Sequence, residues 1–281
     1  MKKLILLCAV LVSLLSCKND KKLTSEDPVV AATELDSTGG EVWEGDTKES
    51  ALKAEKSYPV SLHNVFTAHG GLGNWKKMNN LCFEMKGKNG NETHTVSLPD
   101  RKTKIESKDW SIGYDGKGVW LLKHKLGYEG NPVFYHNLMF YFYAMPFIIA
   151  DPGTNYAAVG ATELDGKMYN GFKVSYDDGV GDSSNDEYIL YFDPQTNQMV
   201  WLAYTVTFSD QKKSEDWHYI KYDKWQEVNG LQLPEKITWW KVENGKPKGE
   251  EMDIKFDKVT ATETMLEASV FAKPKEAEYV K

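Results

Sequence analysis

Cysteine, histidine and excess positive charge are all scarce in this chain. Its 281 residues hold three cysteines, Cys8, Cys17 and Cys82, and no Cys-x-x-Cys, so paired-thiol redox chemistry and a zinc ribbon have no ligands to work with. The six histidines are scattered without metal-ligand spacing. Formal net charge is −7 with no basic stripe, which removes the electrostatic footprint of a nucleic-acid binder and gives no pull toward anionic lipid. Gly-x-Ser-x-Gly does not occur, so there is no nucleophile elbow. Long apolar runs are few as well. Beyond the amino terminus the main one is Pro132 to Gly153, PVFYHNLMFYFYAMPFIIADPG.

The amino terminus has a layout of its own. Met1-Lys2-Lys3 is positive, and Leu4 to Leu15 is apolar but too short to cross a bilayer as a helix, as in a secretory signal peptide. Leu14-Leu15-Ser16-Cys17 resembles the lipobox of bacterial lipoproteins. That resemblance implies removal of residues 1–16, acylation of Cys17 and attachment to a membrane. A multiply acylated cysteine is a durable anchor, since each buried methylene adds roughly 0.8 kcal/mol. Lys18 follows it in place of the Asp that signals inner-membrane retention in enteric sorting, which by the same resemblance favours the outer membrane. With Cys8 removed and Cys17 acylated, only Cys82 is left to the folded part and no intrachain disulfide is available. The domain must therefore be held by burial, and it is long enough for that.

From residue 17 to 57 the chain is charged, polar and without period, the composition of a disordered tether. About 40 such residues reach on the order of 35 Å. A single domain is expected over 58–275, followed by a tail at 276–281. It opens with a helix: Ser57 can cap, Pro59 suits a first turn, and Leu62, Val65, Phe66 and His69 share a face. Gly70-Gly71 stops this helix, and Leu72, Trp75 and Met78 predict one more short turn.

From Leu81 the chain reads as about twelve strands separated by turns. Asn89-Gly90, Asp115-Gly116, Asp165-Gly166, Asp178-Gly179, Asn229-Gly230 and Asn244-Gly245 are the dipeptides of two-residue hairpins. Asp193 to Asn197 is a longer turn, and Asn170-Gly171 reads as a bulge within a strand. Outer strands such as Leu81–Lys86 alternate apolar and polar, whereas Tyr188–Phe192 and Met199–Tyr204 are apolar on both faces and so covered on both. The expected covers are the amino-terminal helix and the aromatic run. In that run Phe134, Leu138, Tyr141 and Met145 keep helical spacing while other aromatics fill the remaining faces, so a buried plug helix is predicted, ending near Met145 because Pro146 follows. The fold class is α+β: a large curled antiparallel sheet, an unclosed barrel of about 11–12 strands, around two helices.

Three segments carry a wider resemblance: Val65-Phe66-Thr67-Ala68-His69-Gly70-Gly71-Leu72-Gly73-Asn74-Trp75, then Phe192-Asp193-Pro194-Gln195-Thr196 with Trp201-Leu202, and Trp225-Gln226-Glu227-Val228-Asn229-Gly230-Leu231-Gln232-Leu233-Pro234. In this order the chain resembles the Lol-type lipoprotein carriers and receptors of Gram-negative envelopes. The resemblance implies an unclosed barrel wrapped round helices, with an apolar space that accepts acyl chains. It transfers no individual contact residue. The long tether and large middle region depart from the small carriers of that superfamily.

Candidate chemistry is thin. Gly181-Asp182-Ser183 resembles the nucleophile block of GDS-type esterases, but the later Asp-x-x-His is missing. Asp182, Ser184 and Asp186 match the first offsets of a calcium loop, but Glu187 stands where glycine is required, so no cofactor is expected. The reading is a non-catalytic envelope lipoprotein, anchored to the membrane through Cys17, that binds an acyl chain or another lipophilic small molecule. Its candidate groove residues are Phe134, Leu138, Tyr141, Phe142, Trp201, Tyr204 and Trp240. Alternatives are a surface glycan binder using exposed tryptophans, or a scaffold without ligand. Of Trp239 and Trp240, strand neighbours facing opposite ways, one is expected to be buried and the other to line a groove or face solvent.

Overall fold

Glycine and asparagine at positive φ turn the chain back on itself repeatedly, and the result is one antiparallel sheet. The computed structural model describes residues 57–281 apart from 88–89, 126–127, 178, 180–182, 184 and 210–211. The signal peptide, Cys17 and the tether therefore lie outside the described residues, as do Asn89, Asp178, Gly181, Asp182 and Ser184 of the predicted turns and motifs.

Helices α1 (Val60–Ala68) and α2 (Leu72–Trp75) precede five strands: β1 (Asn80–Gly87), β2 (Gly90–Ser97), β3 (Thr103–Glu106), β4 (Trp110–Tyr114) and β5 (Val119–Lys123). Then come α3 (Pro132–Tyr143) and α4 (Met145–Ile148). The remaining strands are β6 (Thr154–Leu164), β7 (Lys167–Tyr176), β8 (Tyr188–Phe192), β9 (Met199–Tyr204), β10 (His218–Val228), β11 (Leu231–Glu243), β12 (Lys246–Thr262) and β13 (Glu278–Tyr279). The order across the sheet is β13-β5-β4-β3-β2-β1-β12-β11-β10-β9-β8-β7-β6. Two meanders are thus sewn together at β1 and β12, and the edge strands β13 and β6 do not pair. The sheet is unclosed, as predicted.

Three predicted hairpins have the two-residue form. Asp165-Gly166, Asn229-Gly230 and Asn244-Gly245 show φ of 51° and 73°, 49° and 77°, and 53° and 74°, between the paired residues Leu164 and Lys167, Val228 and Leu231, and Glu243 and Lys246. Both central residues at positive φ match the right-handed twist of the flanking strands. Asp115-Gly116 is a correction: Tyr114 pairs with Val119, so four residues make that turn. The Asp115 carboxylate accepts from the Lys117 and Gly118 amides and holds the wider loop. The bulge near Asn170-Gly171 is present, but the extra residue sits on β6, between Val159 and Thr162. Gly171 has a different purpose. A Cβ there would stand 2.9 Å from the Tyr191 ring.

Helix ends follow local chemistry. Asn131 caps α3 by accepting from the Val133 and Phe134 amides, and Pro132 takes the first turn, where no N–H is missed. The helix breaks at Ala144, two residues before Pro146. Ser57 does not cap α1. That position belongs to Pro59, which offers no side-chain acceptor.

The main core lies between helices and sheet. Phe140, Tyr143, Met145, Phe147 and Ile148 are within 1% of full burial and meet Phe83, Leu202, Ile220, Tyr222 and Phe256 of the strands. Side chains of this size contribute about 1.5–3 kcal/mol each when fully buried. Tyr222 donates its hydroxyl to the Phe142 carbonyl, 2.7 Å away, and so satisfies an orphan acceptor at the end of α3. Val133 and Tyr135 pack toward Ile112 and Leu121 of the first meander, so α3 is in contact with both halves of the sheet.

The second cover of β8 and β9 is not a helix, contrary to the expectation. Their outward side chains Tyr191, Trp201 and Ala203 pack with Leu164, Tyr169 and Tyr219, backed by Trp217 and Trp240. Two hairpin tips support this outer cluster. Lys221 reaches Asp165 at 2.9 Å, and Tyr219 donates to the Gly245 carbonyl. The closing residues, expected to be a tail, return as β13 beside β5. On the way Phe271 accepts a bond from the indole N–H of fully buried Trp120. Cys82 is a half-buried free thiol on β1.

Candidate functional site

Most of the space between α3 and the sheet is filled side chain to side chain. What stays open is one flank of α3, where its half-buried residues face β7, β8, β9, β11 and β12. Asn137 and Tyr141 border a hollow of about 110 Å³ with Ile148, Asp151, Pro152, Tyr176, Ser183, Asp186, Tyr188 and Phe208. A second hollow of about 400 Å³ lies beside it, lined by Tyr135, Met139, Phe142, Tyr204, Thr205, Val206, Trp239, Met252 and Ile254. Phe134, Leu138, Asp186 and Tyr188 line both, so the two lobes meet across that ridge. Val206 and Met252, 45% and 44% exposed, mark where the larger lobe opens to solvent. An apolar concavity with a few polar groups is the usual form of a small-molecule site.

Aromatic contacts shape the walls. Phe142 lies 4.9 Å from Tyr204 and 5.9 Å from Trp239, whose indole N–H donates to the Tyr204 hydroxyl at 3.1 Å. Phe134 packs on Phe208, and Tyr176 meets Tyr188 edge to face. Burial pushes the Tyr176 and Tyr188 phenols far above the ordinary tyrosine range, so both stay neutral.

Asn137, Asp151 and Ser183 are polar groups of the smaller lobe, and Asp186 borders both. Asp186 accepts from the Thr207 amide at 2.6 Å and hydroxyl at 2.7 Å, and burial raises its pKa above the ordinary carboxylate value. Asp151 is paired with Arg101 at 2.5 Å, and Arg101 also lies over the Phe140 ring. Ser183, the nominated nucleophile, shares a hydrogen bond with Thr207 at 3.0 Å. Among the described residues no group of three His, Cys, Asp or Glu is placed to hold a metal.

Of the seven groove candidates, Phe134, Leu138, Tyr141, Phe142 and Tyr204 are brought together here. Trp201 and Trp240 are not. They face the other side of the sheet, with ring centroids 4.9 Å apart, in the outer cluster. Lys221 lies 5.1 Å over the first ring and 4.9 Å over the second, and Lys173 covers Trp217 at 5.9 Å. Trp239 is the member of its pair that lines the groove, and both members are half-buried. Sequence reasoning missed Asp151, Tyr176, Tyr188 and Phe208, and of the Trp239-Trp240 pair it put Trp240 in the groove where Trp239 stands. Tyr176 and Tyr188 sit on adjacent strands at matching alternation, a signal that was present but became spatial only once the register was fixed.

The three segments behind the Lol-type resemblance also meet, away from the groove. Buried His69 accepts from the Met199 amide at Nε2 (3.0 Å) and donates from Nδ1 to the Gln232 carbonyl (3.3 Å). Its ring lies 4.3 Å from that of Trp225. Gly70 approaches the β10–β11 hairpin so closely that a Cβ would stand 2.2 Å from the Gly230 oxygen. Asn74 donates to the Asn229 carbonyl. These residues form a clamp between α1 and the second meander, a structural role.

Residues 128–247 match the Family of unknown function (DUF6503). No curated protein matches the chain. Among solved structures it is similar to a DUF1329 family protein from Desulfovibrio piger, with 10% identity, a TM-score of 0.48, and coverage of 76% of this chain and 96% of that one. It is also similar to a LolA superfamily protein from Nitrosomonas europaea, with 10% identity, a TM-score of 0.42, and coverage of 69% and 88%.

Proposed function

We propose that this protein is a lipid-anchored component of a bacterial cell envelope whose folded part holds a lipophilic ligand with an acyl-like chain, without catalysing a reaction. The observation that carries this reading is the pair of joined apolar hollows beside Phe134 and Leu138, left unfilled where the rest of α3 is packed tight. Closing such a concavity with a chain of methylenes removes apolar surface on both partners from water, the main source of affinity in a site of this kind. Anchoring at Cys17 rests on the Leu14-Leu15-Ser16-Cys17 pattern, and outer-membrane placement on Lys18. A tether of about 40 residues would let the groove work on the order of 35 Å from its anchor.

The test uses the chain from Lys18 onward, without signal or anchor, titrated with the neutral lipophilic fluorophore N-phenyl-1-naphthylamine. Saturable binding that Leu138→Trp weakens at least about tenfold, with folding unchanged, supports the groove; absence of binding removes the lipophilic-ligand reading and leaves a tethered interaction module. Separately, Cys17→Ala should release the intact protein from membranes. Retention in the membrane fraction would count against lipidation.

A further inference from the structure

The groove has a chemical polarity that its apolar character does not require. Among the described residues no Lys, Arg or His lines either lobe, yet two carboxylates do, Asp151 and Asp186. They are not equivalent. Asp151 is neutralised from behind by Arg101. Asp186 stands on the ridge shared by both lobes and is held by the hydroxyl and amide of Thr207, with no ion pair to a described Lys or Arg.

We propose that the groove selects amphiphiles whose head donates hydrogen bonds, amines before alcohols, and disfavours those with a carboxylate or phosphate head, with Asp186 as the selecting residue. This deepens the lipophilic-ligand reading and rests on it. An anionic head drawn in with its chain would be brought beside Asp186, with no cation among the described lining residues to receive it. In a partly buried position that repulsion is weakly screened, and an ammonium or hydroxyl gains by the same arrangement. Burial already raises the pKa of Asp186, a sign that a single negative charge is poorly tolerated there and a second would be worse. A carboxylate on the ridge with no described cation in the lining is the reverse of what a fatty-acid or phospholipid headgroup site needs.

The experiment is competition against N-phenyl-1-naphthylamine on the chain from Lys18 onward, using decylamine, decanol and decanoate at about pH 7.5 and below their micelle concentrations. Chain length is constant, so only the head varies. Decylamine should displace the fluorophore at a concentration at least about tenfold below that of decanoate, with decanol between them. In Asp186→Asn the ratio of decylamine to decanoate should collapse to within about twofold, and in Asp186→Glu it should persist. Equal or preferential displacement by decanoate overturns the proposal while leaving the groove standing, since the fluorophore has bound. A preference for amine that Asp186→Asn leaves intact overturns the assignment to Asp186. If the fluorophore itself does not bind, the groove reading fails and this inference falls with it. Should Asp186→Asn not fold, the wild-type order and the Asp186→Glu ratio still decide.

Discussion

His69 shows how much a single side chain can carry. It ends α1, and its ring bridges the Met199 amide and the Gln232 carbonyl, so one neutral imidazole ties the helix to β9 and β11. Burial pushes its pKa down to about 4, the Gln232 bond opposing only in part. An unfolded histidine titrates near 6.5. The native state therefore refuses a proton that the unfolded state accepts: stability from this residue is complete above about pH 6.5 and is lost as pH falls toward 4. Urea unfolding at about pH 7.5 and 4.5 should differ by roughly 2–3 kcal/mol from His69 alone. His69→Leu should be less stable at neutral pH, because two backbone groups lose their partner, but should have a smaller loss on acidification. An equal acid loss in wild type and variant would show that His69 does not titrate this way. Buried His94, also shifted down, mainly by burial, adds a loss of the same sign in both proteins.

At the scale of elements, α3 divides its work by face. Phe140 is 1% exposed and lies in the main core, while Leu138, four places from Phe134, is half-buried on the ridge between the two hollows. Phe140→Ala should cost about 3–5 kcal/mol, since a cavity opens where neighbours cannot collapse. Leu138→Ala should cost about 1 kcal/mol and act on fluorophore binding instead. Chemical denaturation and a binding titration of both variants check the division, and a Leu138→Ala cost as large as that of Phe140→Ala would mean the flank is core and no site. The helix itself was legible: its cap, its Pro132 start and its stop before Pro146 are written locally in Asn131 to Pro146. Which flank would be left open was not legible, because Phe134, Tyr135, Leu138 and Phe140 look alike as letters and differ only in which strand stands opposite.

At the scale of the molecule, the β1–β12 seam decides how the chain holds together. Asn80 pairs with Thr262, and its amide reaches the Thr264 carbonyl 184 residues away. Neither meander completes its core alone, since Leu81, Phe83 and Met85 of the first share a cluster with Phe256 of the last long strand and with α3. A piece ending at His124 should therefore stay unfolded by itself. Its circular dichroism should lack the strand signal and recover it only when the rest of the chain is supplied. Independent folding of that piece would refute the single-core description. Pairing at such separation also predicts slow folding, from milliseconds to seconds, because loop closure must precede the contacts that reward it.

What the sequence determined by itself is what depends on neighbours along the chain. Turn pairs such as Asn229-Gly230 need positive φ and nothing else, alternation gives strands, and a proline stops a helix, so strand succession, plug helix and unclosed sheet could all be read in advance. What only the tertiary structure decided is which face of a doubly apolar strand meets which partner. Met199–Tyr204 is greasy on both sides; its Tyr204 side became groove and its Trp201 side became the outer cluster. Side-chain period fixes that the two differ, but burial is indifferent to direction until curvature and register choose. For the same reason Trp240 left the site, Trp239 entered it, and Asp186, read from the sequence as part of a loop, came to stand on the ridge between the two hollows.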